Sequence, residues 1–519
     1  MSNATATLAP AVPLPRRKLI LAACMAASFM AAVEATIIAT AKPSIASSLG
    51  GFGLFAWVFS AYMLTQAATI PVYGRLADIY GRRRIFFLGA LLFLLGSTLC
   101  GFAHSMAQLV AFRAIQGLGA GGVQPIANTI VGDIYTPVER ARVQGMLSGV
   151  FGVSAVIGPS LGAFIVQYGA WPIVFWVNLP IGAAAIGMIA LFLPEHVQSR
   201  PHQVDYAGSV LLLLAIGMLM LLMQGGGLSG VTWAAAAATL VLAGTTLVLH
   251  ERRVAEPMLP LELWRNRVIV SSSVGSLVTG TLMMGVTAYL PTYVQGDMGR
   301  GADVSAVILA LMSVVWVIGS ATAGLCLPRT TYRMIATLGA LALIAGAAML
   351  VVLTPALGPV WAGAGAVLIG AGMGFCNTTF MVSVQTSVSW AQRGAATSST
   401  MFLRFLGQSL GAAVFGAVLS ASLRGRAEGA AFGAASGAAR AAAPGGGPGT
   451  GQAAAGALDR LMDPQWRANV TAADLAHLVD ATAAAMRHAY MLTGTLAVLA
   501  LLLALTYPRG LGPARKPVP

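Results

Sequence analysis

The chain has 519 residues, of which 57% are hydrophobic and only 9% charged, and its formal net charge is +14. Soluble domains carry about a quarter charged residues, so this composition excludes a soluble globular protein and points to an integral membrane protein with many spans. The excess of arginine gathers in alternate loops rather than on a basic face interleaved with aromatics, which argues against nucleic-acid binding.

Apolar runs of spanning length are predicted at 19–41, 53–74, 85–103, 106–131, 142–167, 171–193, 206–224, 231–250, 268–294, 304–327, 334–353, 359–385, 395–422 and 486–507. Arg16, Arg17 and Lys18 precede a first run too long for a signal-peptide core, so that span is expected to be retained. Within it lies Glu34, the only one of the sixteen acids set well inside a span. A charge at that depth costs about 2.5 kcal/mol or more unless it faces a cavity or a partner. Glu34 is therefore either a proton-loading group or half of a structural salt bridge.

The stretch Gly74-Arg-Leu-Ala-Asp78-Ile-Tyr-Gly81-Arg-Arg-Arg84 follows the second run and is predicted as a short charged loop. Its arginines Arg75, Arg82, Arg83 and Arg84 mark a cytoplasmic side, with Asp78 among them. In the fourth run, Arg113 lies at the same depth as Glu34, about 10 Å below the outer surface at 1.5 Å per residue. Equal depth permits a pair, and Gln116, about one turn away, could join it. The sextet from Gly117 to Gly122 formally fits a dinucleotide loop, but it sits inside an apolar helix with no preceding strand, so close helix packing is the better reading. In the fifth run Pro159 stands between Gly158 and Gly162, which fits a hinge or a tight seal.

Arg404 is the only basic residue deep in the second half of the chain, with structural and ligand-binding readings both open. Other polar or aromatic candidates for a cavity are Trp57, Tyr62, Gln66, Gln124, Asn128, Tyr289, Tyr293, Trp316, Asn377 and Gln385; Trp57 and Tyr293 also suit an interfacial aromatic belt. The long loop 423–484 is Ala/Gly/Pro-rich around Gly429–Gly456, a composition that predicts disorder there. A capped helix start is predicted at Thr471.

Several chemistries lack their residues. The three lysines, Lys18, Lys42 and Lys516, stand in no phosphate-loop context, and no zinc-protease motif occurs. Cys24, Cys100, Cys326 and Cys376 all fall inside apolar runs and read as buried small side chains. No cofactor, no metal and no enzymatic activity are expected.

Loops on the side of the termini hold 20 of the 30 basic residues, which places both termini in the cytoplasm. A shift of 253 residues lays Gly117, Gly119, Gly121, Arg140 and Gly158 onto Gly370, Gly372, Gly374, Arg393 and Gly411. This internal repeat predicts an all-α membrane fold of fourteen helices arranged 6+2+6. Its expected parts are a tail 1–18, a bundle 19–193, a linker with two inserted helices 194–267, a bundle 268–507 and a tail 508–519. Parallel halves of this kind rock about a substrate site at their interface.

Together these residues resemble the major facilitator superfamily, specifically its fourteen-span drug:proton antiporters. The Gly74–Arg84 stretch is similar to the superfamily's loop between spans two and three, where the acid and the basic residues act in the conformational switch. Arg113-Ala-Ile-Gln-Gly117 resembles a span-four motif implicated in proton coupling, and Gly158-Pro159-Ser-Leu-Gly162 resembles the span-five antiporter motif. Glu34-Ala-Thr36 is similar to a span-one motif that usually carries Asp. Ser154 and Ala163 stand where the antiporter motif usually has Gly.

The resemblance implies a proton-driven exporter of hydrophobic or cationic drugs working as a monomer in the cytoplasmic (inner) membrane, with small molecules, protons and lipid as its partners. Two other classes stay open on sequence: a facilitator of one endogenous metabolite or lipid, and a non-transporting membrane scaffold.

Overall fold

The structure is a computed structural model that describes residues 14–50, 55–194, 205–224, 230–254, 261–429 and 471–510. The expectation of disorder around Gly429–Gly456 falls almost entirely outside these residues, as do most of the two tails.

Among the described residues the regular structure is helical. The helices are α1 (Leu14–Leu49), α2 (Phe55–Tyr80), α3 (Arg82–Gly101), α4 (Met106–Ile134), α5 (Pro137–Tyr168), α6 (Ile173–Trp176), α7 (Asn178–Phe192), α8 (Tyr206–Gln224) and α9 (Gly230–Glu251). They continue with α10 (Arg267–Thr292), α11 (Ala302–Cys326), α12 (Tyr332–Val351), α13 (Gly358–Ser387), α14 (Arg393–Gly429) and α15 (Ala472–Leu505). Ten helical stretches of the described chain are long and apolar enough to cross a membrane. Leu91, Leu242, Val307, Ile318 and Leu502 point outward from them, as they should where the solvent is hydrocarbon.

Local chemistry sets the helix ends. Ser105 accepts from the backbone N–H of Gln108 at the start of α4. Thr136 and Glu139 form a capping box at the start of α5, and Thr331 caps α12.

The structure corrects two sequence expectations. The Gly74–Arg84 stretch is not an extended loop: α2 runs to Tyr80, α3 begins at Arg82, and only Gly81 separates them. Gly81 has φ 95°, a left-handed value that disfavours any side chain. Likewise α14 runs on to Gly429, inside the predicted 423–484 loop, whereas α15 starts at Ala472, matching the helix start expected at Thr471. No proline or glycine interrupts the chain from Ala472 to Thr493, so the helix extends well beyond its apolar run.

Two groups of helices each close around their own apolar clusters. One group is α1 to α7 and the other α10 to α15. They meet where α5 lies along α11 and α14 along α2. Gly145 faces Ala321, and a Cβ added at Gly149 would lie 3.2 Å from Val317. A Cβ at Gly74 would lie 2.4 Å from that of Ser398. Helices α8 and α9 pair with each other, and Leu212 and Ile216 of α8 join Ala67 and Leu406 on the α2–α14 side.

The repeat read in sequence has a spatial counterpart. A Cβ at Gly117 would lie 2.4 Å from the Tyr62 carbonyl on α2, and one at Gly370 would lie 2.2 Å from the Met312 carbonyl on α11. Gly119 meets α3 at Phe93, while Gly372 meets α12 at Gly339. The same glycine spacing thus packs α4 between α2 and α3, and α13 between α11 and α12. Tyr135 donates to the Arg17 carbonyl and Tyr507 bonds Ser272 and Ser383. The described chain therefore starts and ends on the end of the bundle that carries Gly81.

Candidate functional site

A buried ion pair lies inside the first helix group. The Arg113 guanidinium on α4 donates to Glu34 Oε1 on α1 at 2.5 Å, and the two side chains are 1% and 0% exposed. Arg113 also donates through Nε to the Val58 carbonyl at 3.0 Å and through Nη1 to Gln116 at 2.7 Å. Its guanidinium carbon sits 4.1 Å from the centre of the Tyr62 ring. The second carboxylate oxygen of Glu34 accepts from Asn178 Nδ2 at 2.5 Å. Asn178 and Gln116 both donate to Ser97 Oγ at 3.1 Å, and Ser97 donates to the Phe175 carbonyl at 2.8 Å.

Five elements, α1, α2, α3, α4 and the α6–α7 corner, therefore supply one polar cluster in an apolar setting. Charge-assisted bonds of this kind offset the loss of water around two buried ions. Sequence reading singled out Glu34, Arg113, Gln116 and Tyr62 but not Ser97 or Asn178. Asn178 interrupts the apolar run 171–193 and could have been flagged for that reason alone.

The same stretch of α1 touches α5. Thr36 donates to the carbonyls of Val33 at 3.0 Å and Ser154 at 3.4 Å. A Cβ at Gly158 would lie 2.0 Å from Thr36 Oγ1, so only glycine allows this approach. Gly162 is buried on the same helix, which continues unbroken through Pro159. Glu34 thus lies one half-turn from the α1–α5 seam, and α5 is also the helix that meets α11 across the interface.

At the Gly81 end a charged lock joins the two groups. Asp78 accepts from Arg82 at 2.6 Å and from the backbone N–H groups of Gly394 and Ala395 at 3.0 and 2.8 Å. The carboxylate thereby caps the N-terminus of α14, where the helix dipole favours an anion. Burial nonetheless pushes the Asp78 carboxyl up to about 6. Arg82 also reaches Asp133 at 2.9 Å and the Trp390 carbonyl at 2.9 Å. Arg393 reaches the other oxygen of Asp133 at 2.6 Å.

Two bonds in this lock are mirror partners under the repeat. Arg140 donates to the Gln385 carbonyl at 3.3 Å, and Arg393 donates to the Gly132 carbonyl at 3.0 Å. Both the donors and the acceptors stand 253 residues apart. Arg75 and Arg83 are half-buried on the same surface, and Arg84 is exposed. Asp133, Arg140 and Arg393 were absent from the sequence-based set of site residues. The matching of Arg140 with Arg393 in the repeat was the signal for the two arginines; nothing in the repeat singles out Asp133, whose counterpart is Thr386.

A small cavity lies between the two groups. Ser28 of α1, Asn128 of α4 and Gln144, Leu147, Ser148 and Phe151 of α5 line one side; Asn377, Met381, Met401 and Arg404 line the other. Of the candidates, Asn128, Asn377 and Arg404 are here. Gln124 on α4 and Gln66 on α2 are buried but do not line it. Tyr293 is buried against Tyr490 and donates to the Leu353 carbonyl at 3.2 Å, so it is enclosed within its helix group. Tyr289 stacks on Phe415, and Trp316 is buried on α11. Gln385 belongs to the lock rather than to the cavity, donating to the Asn128 carbonyl at 3.1 Å.

Residues 24–412 match the family described as Major Facilitator Superfamily. The chain is 34% identical over 391 residues to Multidrug resistance protein 3 of Bacillus subtilis (strain 168), covering 74% of this chain and 75% of that protein. It is 32% identical over 401 residues to Multidrug transporter protein MdtP of the same organism, covering 76% and 74%. Among solved structures, that of the human organic anion transporter MFSD10 (TETRAN) aligns with a TM-score of 0.62 at 14% identity, over 94% of this chain and 99% of that one. At that identity the likeness concerns the fold alone.

Proposed function

The chain belongs to the major facilitator superfamily, and from that premise we propose that it is a proton-coupled exporter of hydrophobic drug-like molecules, working by alternating access. In this reading all fourteen apolar runs cross the cytoplasmic membrane, as six plus two plus six. The units are the bundles 19–193 and 268–507, with the inserted pair in 194–267. The Gly81 end and both termini face the cytoplasm, as the arginine distribution favours, and the monomer is the working unit. The relatives named for multidrug transport support export of drugs.

The observation that carries proton coupling is the Glu34–Arg113 pair, buried beside the α1–α5 seam. A carboxylate without water is stable there only while Arg113 and Asn178 donate to it. A proton arriving from outside neutralises Glu34 and ends its hold on Arg113. The pair is then a two-position element. Thr36, on the adjacent half-turn of α1, transmits its rearrangement to α5, and α5 carries it to α11 and the inter-half contact. Release of the proton to the cytoplasm restores the pair. The lock of Asp78, Arg82, Asp133 and Arg393 holds the cytoplasmic end shut in the state described here.

The test is transport in proteoliposomes under an imposed pH gradient, with one neutral, one cationic and one anionic hydrophobic dye. Glu34→Gln is expected to lower gradient-driven transport at least tenfold, in the range typical of losing a proton-transfer group. Transport at the wild-type rate and proton stoichiometry in that variant would sink the reading.

A further inference from the structure

Most charged groups of the interior are matched by a partner. Glu34 has Arg113, Asp78 has Arg82, and Asp133 has Arg82 and Arg393. Arg404 differs. It is 9% exposed and lines the cavity between the helix groups, yet no carboxylate lies within ion-pairing distance of it among the described residues. Its one hydrogen bond is a long one, 3.4 Å from Nη1 to the neutral Asn377 amide oxygen. Its Nε is buried without a partner.

The position of Arg404 is as telling as its charge. Phe151, Ser148 and Asn128 on one wall stand 253 residues from Arg404, Met401 and Met381 on the other. The cavity therefore sits on the axis that relates the two halves. On that axis the first half presents a phenyl ring where the second presents a guanidinium, their centres 5.8 Å apart. The lining holds no acid, so a cationic substrate would meet uncompensated like charge. An anion would supply the missing partner to a desolvated guanidinium. Met381 and Met401 offer soft apolar surface that adapts to varied shapes.

We propose that Arg404 is the substrate-recognition residue of this cavity, which has room for about one water in the present conformation and must widen to load, and that the preferred substrates are amphiphilic organic anions: one carboxylate or sulfonate bonded to Arg404, and an aromatic or apolar body against Phe151 and the two methionines. This rests on the transport reading above and narrows its substrates from hydrophobic drug-like molecules to hydrophobic anions, against the cationic drugs that the family resemblance led one to expect.

The test is equilibrium binding, which does not depend on proton coupling. Purified protein is titrated with dansylate, a fluorescent naphthalene sulfonate that stays ionised across the working pH range, and in parallel with tetraphenylphosphonium. Saturable dansylate binding by the wild type is expected, weakened at least tenfold by Arg404→Gln and largely kept by Arg404→Lys. Asn377→Asp, nearly isosteric, places a carboxylate beside Arg404. It is expected to weaken dansylate at least tenfold while leaving tetraphenylphosphonium unchanged or tighter. This variant decides the matter if Arg404→Gln fails to fold.

Absence of saturable dansylate binding by the wild type, or wild-type affinity in folded Arg404→Gln or in Asn377→Asp, overturns the proposal. Gradient-driven dye transport lost in Glu34→Gln together with unchanged dansylate affinity in these variants would leave the coupling reading standing and remove this one. Dansylate binding that follows the predicted order without any gradient-driven transport would do the reverse.

Discussion

Arg113 and Glu34 hold each other in place, and the energy of that arrangement can be measured. Removing one member of a buried, hydrogen-bonded pair leaves a charge without water or partner, at a cost of about 3–5 kcal/mol. Arg113→Gln is expected to lower the thermal unfolding temperature in detergent clearly, and the double variant Glu34→Gln/Arg113→Gln to recover at least half of the loss. Simple additivity of the two single changes would show that the pair is not energetically coupled. At this scale the charged members were legible, because a charge deep in an apolar run is costly enough to need a reason. Ser97 and Asn178 were not legible. Their role depends on the rotation of α3 and α7 about their own axes, and the near-uniform apolar character of those runs does not encode it.

At the scale of elements, small residues determine which helices touch. Gly145, Gly149 and Gly152 line α5 where it lies against Ala321, Val317 and Ser313 of α11. With a Gly149 Cβ 3.2 Å from Val317 Cγ1, the pair Gly149→Cys/Val317→Cys is close enough for a disulfide. Oxidation is expected to form that bond and stop transport, and reduction to restore it. Undiminished turnover in the oxidised protein would mean that α5 and α11 do not separate during the cycle. The glycine repeat of α4 and α13 announced close packing, and the structure shows that packing. What the repeat did not disclose is that Gly74 to Tyr80 continues α2 as helix. The charge pattern there resembles a loop because arginines cluster, but nothing breaks the helix before Gly81.

At the scale of the molecule, if the Gly81 end opens during transport as proposed above, the Asp78 contacts are expected to make its closure depend on pH. Buried against α14, the Asp78 carboxyl stands at about 6 instead of the ordinary 3.8. A conformation in which it is exposed restores the ordinary value. The closed form therefore binds a proton more readily, so closure is favoured as pH falls through about 6 and opposed as pH rises, by about 3 kcal/mol in the limit. Ser398, buried where α14 meets Gly74, reports on this. Maleimide labelling of Ser398→Cys, scaled to an exposed control at Arg84→Cys, is expected to slow between pH 7 and pH 5. The added change Asp78→Asn is expected to flatten that dependence. A pH-dependent ratio that survives it would place the titrating group elsewhere.

The sequence by itself determined the class of protein, the apolar runs, the internal repeat and the three deep charges, Glu34, Arg113 and Arg404, that can be buried only with a purpose. It could do so because a bilayer imposes its demands along one dimension: each crossing must be apolar over about 20 residues, and every charge inside it is expensive. Tertiary structure alone decided the pairings. Asp133 bridges Arg82 and Arg393, Arg140 and Arg393 exchange carbonyls across the halves, and Arg404 faces Phe151 with no acid beside it. These follow from how each helix is rotated and where it crosses its neighbours. Many sequence-distant contacts fix those quantities together, and no single stretch of chain specifies them.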